Sequence, residues 1–171
     1  FPTSELTLTE GVAMQPIAGQ TSGSTPESWE VYPDLPNGLF FGEANGTLWG
    51  VPTDVQNETN YTIWANASGD QTSSVTISIT VLIDTDGDEI ADIFDPDDDG
   101  DGVDDEREQA LGTNPTLVDS DQDGVSDFLE LQCRSLDNGN RISCPEAAPD
   151  TLGTGTADAL NPDVDSDQIL D

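Results

Sequence analysis

From Ser73 to Ile83 the chain reads SSVTISITVLI, with Val75, Ile77, Ile79, Val81 and Ile83 at every second position and Thr76, Ser78 and Thr80 among those between. Alternate residues of a strand point to opposite faces, so this segment predicts a central strand with one face on a core and the other in water. NYTIWANA repeats the pattern, placing Tyr61, Ile63 and Ala65 on one side and Asn60, Thr62, Trp64 and Asn66 on the other. Shorter strands are expected at ELTLTEG, GVAMQPI and SWEVYP, and at LFF and TLWG with an NG turn between the last two. Hydroxyl-rich alternating segments separated by Gly, Pro and Asn predict a β-sandwich over residues 1–83.

Beyond residue 83 the alternation ends and carboxylates crowd together. Nine acids fall in 1–83, nineteen in 84–131 and eight in 132–171. Two carboxylates about 4 Å apart repel by roughly 1 kcal/mol in water and about 4 kcal/mol at an effective dielectric near 20, so such clusters are unfavourable until a cation joins them. A calcium loop of about 12 residues requires side-chain oxygens at its first, third and fifth positions. It then needs a backbone carbonyl at the seventh, an oxygen at the ninth directly or through water, and a carboxylate at the twelfth, with Gly favoured at the sixth.

Starting the loop at Asp97 fills every position, with Asp97, Asp99, Asp101, Gly102, the carbonyl of Val103, Asp105 and Glu108. Starting at Asp119 does so again, with Asp119, Asp121, Asp123, Gly124, the carbonyl of Val125, Asp127 and Glu130. A start at Asp95 fails, because Val103 then takes the ninth position. A third match uses Asp84, Asp86, Asp88, the carbonyl of Ile90, Asp92 and Asp95, but carries Glu89 where Gly is expected and ends on the shorter Asp. A fourth begins at Asp163 with Asp165, Asp167 and Asp171; aligning its DSDQ on that of 119–122 makes Asp165 the first ligand instead. A disordered acidic tail is also acidic but has no need of this spacing. Short helices are expected near 103–111 and 125–133, with Gly112 stopping the first.

Composition removes several classes of chemistry. The 171 residues carry a formal charge of -33, no Lys and no His, and the only cations are Arg107, Arg134 and Arg141. Without imidazole or ammonium groups there is no His general base, no Ser-His or Cys-His pair, no His-bound zinc and no Schiff-base lysine. Nucleic acid is disfavoured, because its binding needs a cationic footprint. Paired carboxylates could in principle do hydrolytic chemistry, yet every dense pair already has a place in a calcium loop, so no catalytic residues are assigned. No run approaches the roughly 20 apolar residues of a membrane span. The start at Phe1, with no signal-peptide pattern, reads as a processed product or a section of a longer protein.

Cys133 and Cys144 enclose RSLDNGNRIS. A bridge closing a loop of about 12 residues would contribute roughly 3 kcal/mol in the chain-entropy model and would imply an oxidising compartment. Four N-x-S/T sequons, at Asn45, Asn57, Asn60 and Asn66, are candidate glycosylation sites, whereas Asn114 is spoiled by Pro115.

Two resemblances follow from these residues. LPNGLFFGEANGTLWGVPT resembles the LPxGLxF…GtxxGtPt signature of He_PIG-type, Ig/cadherin-like modules of archaeal and bacterial surface proteins, with Gly38, Gly46 and Gly50 on its turn glycines. For function it implies a spacer or adhesion module. The loops joined by EREQALGTNPTLVDSDQDGVSD resemble thrombospondin type 3 repeats over about 84–171, with 134–160 departing as a Cys-bearing insertion. Together they imply a mainly β protein: a sandwich followed by a calcium-organised array of loops and short helices.

The expected function is a non-catalytic, Ca2+-stabilised extracellular structural or adhesive protein at the cell surface: a stalk, an adhesin segment or a filament protomer. Expected partners are Ca2+ and other surface proteins or copies of itself, with glycans a further candidate because Trp29, Trp49 and Trp64 could stack on sugars. The alternative is the accessory calcium- or carbohydrate-binding region of a secreted hydrolase.

Overall fold

The computed structural model describes residues 1–131 other than 24, 70 and 123, together with the backbone of 134–136 and 141–143. The chain divides into two compact units, Phe1–Ile93 and Phe94–Asp171.

The first unit holds seven strands: β1 (Glu5–Thr9), β2 (Met14–Ala18), β3 (Ser28–Tyr32), β4 (Leu39–Phe41), β5 (Thr47–Gly50), β6 (Gln56–Ala67) and β7 (Gln71–Leu82). They form two sheets, one in the order β1-β7-β6-β3 and one in the order β2-β5-β4. β1 runs parallel to β7 with Leu6 opposite Ile79, and the other strand pairs are antiparallel. All seven strands expected from alternation are present, with β6 and β7 extended into a long hairpin.

The register puts Tyr61 opposite Ile77 and Ile63 opposite Val75, so the apolar faces of both strands point the same way. Tyr61, Ile63, Ala65, Ile77, Ile79 and Val81 are buried with Trp29, Leu39 and Leu48 in one core. The Tyr61 hydroxyl donates to the Gln56 side chain at 3.0 Å, so its polar tip is satisfied. Ile83, expected on the core face, lies past the end of β7 and is 47 % exposed. Its carbonyl accepts from the Asp92 N–H at 3.1 Å, so the chain has already turned into the acidic segment.

The glycines of the LPNG…GTLWG run serve close packing. Gly46 is left-handed (φ 62°), and a Cβ built there would enter the Trp29 ring.

The second unit holds α1 (Asp105–Leu111), the single-turn α2 (Asp127–Glu130) and a hairpin of β8 (Arg134–Leu136) with β9 (Arg141–Ser143). Both helices begin two residues later than expected, because those residues still belong to the preceding loops. Gly112 caps α1 in the left-handed region (φ 96°), its N–H bonding to the Glu108 carbonyl. Among the described residues the apolar core here is small: Val103 and Leu131 are fully buried, with Leu111 and Phe128 against them.

Gly46→Ala is expected to destabilise the sandwich by about 2 kcal/mol through the left-handed backbone and the collision with Trp29. Thermal unfolding of the full chain followed by tryptophan fluorescence measures this; an unchanged midpoint would refute the packing role.

Candidate metal centre

The three acidic loops share one hydrogen-bond frame. At the first position, Asp84 accepts from the Glu89 N–H at 3.1 Å, Asp97 from the Gly102 N–H at 3.0 Å and Asp119 from the Gly124 N–H at 2.9 Å. At the third position Asp86 accepts from Asp88 and Asp99 from Asp101; at the fifth, Asp88 accepts from Ile90 and Asp101 from Val103. The first-position side chain thus ties the backbone five residues ahead and the third and fifth tie it two ahead, which curls the loop and turns the carboxylates inward.

The sixth position is left-handed in all three loops, with φ 82° at Glu89, 100° at Gly102 and 103° at Gly124. Glu89 therefore adopts the conformation that glycine takes in its sister loops, at a cost of about 1–2 kcal/mol. Sequence reasoning missed the fourth position, which is also left-handed, at Gly87, Gly100 and Gln122. The glycines in DTDGDE and DDDGDG were the available signal.

The ninth position has its own partner. Both oxygens of Asp92 accept from Thr85, through its N–H at 2.8 Å and its hydroxyl at 2.7 Å. Asp127 does the same with Ser120, at 3.0 and 2.6 Å, and Asp105 accepts from the Asp98 N–H at 2.9 Å. These side chains lock the second loop residue to the ninth. That arrangement suits a bound ion reached through water rather than directly.

Ligand-type oxygens of Asp84, Asp86 and Asp88 lie within 4.8 Å of one another, and so do those of Asp97, Asp99 and Asp101. The first group is exposed or half-buried, and the Ile90 side chain is exposed. In the second loop Val103 is fully buried and Glu108, on α1, is 0 % exposed. Asp97 Oδ1 and Asp99 Oδ2 are buried and accept no hydrogen bond, and both Glu108 oxygens are buried with only the Thr113 hydroxyl easing their charge. A carboxylate in that condition is costly unless a proton or a cation compensates it.

Burial holds the Asp97 and Asp99 carboxyls up at about 6, reinforced at both by the charge of Asp101. Burial, then the charges of Asp99 and Asp101, raises Glu108 to about 8. Loss of solvent also raises Asp101 and Asp127. The set of hard carboxylate oxygens with a buried glutamate at the twelfth position fits a calcium-sized ion and lacks the nitrogen and sulfur donors of a zinc site.

In the third loop Asp127 is fully buried and Glu130 nearly so, with Asp121 and Val125 half-buried. Asp123, Asp163, Asp165, Asp167 and Asp171 lie outside the described residues, as do Cys133 and Cys144. The β8–β9 register sets Arg134 opposite Ser143, the neighbours in sequence of those two cysteines.

On the sandwich, Asn45, Asn57 and Asn60 are exposed, whereas the Asn66 side-chain amide donates to Glu30 at 3.0 Å. Trp29 is in the core, Trp64 is half-buried, and Trp49 stacks on Phe40 at the surface with ring centroids 6.0 Å apart.

Residues 2–82 match the family model He_PIG, described as "Putative Ig domain". Among solved structures, a "Chimeric titin Z1Z2 functionalized with a KLER exogenous peptide from decorin" is similar at 19 % identity and a TM-score of 0.34, covering 46 % of this chain and 87 % of that one. No curated protein matches the chain. The match over residues 2–82 and the seven strands in two sheets make the first unit similar to Ig-like modules.

In the calcium-free chain the raised carboxyls should make the second unit most stable below about pH 4, with that stability lost as pH rises through 6 and then 8. Differential scanning calorimetry of the calcium-depleted chain between pH 4 and 8.5 reads the sign. A transition that strengthens with pH would show that burial does not dominate these groups.

Proposed function

We propose that the chain is a non-catalytic extracellular structural or adhesive protein in which Ca2+ stabilises the acidic repeats, as in a cell-surface stalk, an adhesin segment or a filament protomer. The observation that carries this reading is Glu108: fully buried next to the clustered Asp97, Asp99 and Asp101, with the Thr113 hydroxyl offsetting only part of the cost of its burial. A small apolar core around Val103 and Leu131 leaves the second unit reliant on something else, and a divalent ion converts its carboxylate repulsion into folding free energy. In this reading the loops at 97–108 and 119–130 are the principal sites, with those at 84–95 and 163–171 accompanying them. Resemblance to thrombospondin type 3 repeats gives the same assignment, and the Ig-like module suits a spacer beside them.

Removing the ion should loosen the repeats and leave the sandwich intact. Limited proteolysis with EGTA is expected to cut within 94–131 while 1–83 survives, and Glu108→Gln is expected to weaken calcium binding at the second loop by at least tenfold in a calorimetric titration. Identical digestion patterns with calcium and with EGTA would sink the proposal.

An extracellular location carries two further expectations: a Cys133–Cys144 bridge closing the β8–β9 hairpin, and glycans on Asn45, Asn57 or Asn60 in preference to Asn66, whose amide is already engaged. Peptide mapping of native material without reduction reads both. Free thiols together with bare sequons would place the protein in a reducing, unglycosylated setting.

A further inference from the structure

Asp101 belongs to the second loop, yet its carboxylate serves two repeats. One oxygen, Oδ1, accepts from the Val103 N–H at 2.7 Å inside its own loop, and Oδ2 accepts from the Phe128 N–H at 2.9 Å in the first turn of α2. Around that contact Val103 of the second loop packs with Leu131 at the end of α2, and Phe128 packs against them. The fully buried Asp127 lies close enough to Asp99, Asp101 and Glu108 to feel their charge, while its own oxygens hold Ser120 of the third loop. α2 is a single turn, too short to persist by itself in water.

We infer that Asp101 is a positioning residue through which an ion in the second loop orders α2 and hence the third loop, so that the two repeats bind calcium as one cooperative unit. The inference rests on the calcium reading above. An ion drawn to Asp97, Asp99, Asp101 and Glu108 removes the mutual repulsion that works against this cluster, and Asp101 then holds a fixed acceptor toward the otherwise open N–H at the start of α2. The contact is made by where the oxygens point, the second loop reaching into the third repeat through Asp101, and the coupling it carries is reciprocal.

The test is hydrogen exchange of the full chain with and without calcium. Asp119→Asn weakens the third loop at its first ligand, so protection of 128–131 then reports on the second loop. Calcium is expected to protect 99–103 in this variant and, with it, 128–131 by about tenfold. Protection of 99–103 with no change at 128–131 would overturn the coupling and leave the calcium reading standing. A chain protected in neither segment would overturn both.

Asp101→Asn keeps an oxygen at the fifth loop position but leaves a single acceptor for two N–H groups. Calcium should still protect 99–103, while the protection that calcium adds at 128–131 drops about tenfold below that in the native chain. Undiminished protection of 128–131 in this variant would rule out Asp101 as the link.

Discussion

Repulsion among carboxylates that the fold forces together is the constraint on which the second unit depends. Glu108 is held inside by α1, whose first turn forms the end of the second loop, and the loop's own hydrogen bonds direct Asp97, Asp99 and Asp101 toward the same place. Burial and mutual charge push these groups well above ordinary carboxylate values, so protons or a cation must compensate them. Among the described residues of this unit the apolar contacts are those of Val103, Leu131, Leu111 and Phe128, few by comparison.

In the sandwich the hydrophobic effect suffices. Two sheets bury Tyr61, Leu48, Ile63, Ile77, Ile79 and Val81 almost completely, and the long β6–β7 hairpin supplies most of that face. Gly19, Gly38, Gly46 and Gly50 are placed where Trp29 or a neighbouring backbone comes too close for a side chain. The described residues of the two units thus differ in character: those of the first bury apolar area, whereas those of the second crowd carboxylates around a few apolar contacts.

The loops also show how short side chains replace an apolar core. In each, an aspartate at the first position fastens the sixth N–H, and one at the ninth fastens the second. The frame recurs in all three loops, and its conformation is the same even where Glu89 stands in place of glycine. The departure at Glu89 therefore acts on stability rather than on geometry.

Periodicity by itself determined the seven strands, because side-chain direction alternates with every residue whatever the surroundings; Val75 to Val81 and Tyr61 to Ala65 were legible for that reason. The repeat of the aspartate frame was legible too, since the spacing of its first and sixth positions is a local property of the backbone. Other features had no local signature. The burial of Glu108 depends on where α1 packs, and the exposure of Ile83 on where β7 ends. The engagement of Asp92 and Asp127 by Thr85 and Ser120 depends on a chain reversal spanning seven residues. Asp101 could be read from its spacing as one ligand among several. Only the tertiary structure made it the contact between two repeats, because the N–H it meets is 27 residues away and no sequence period links them.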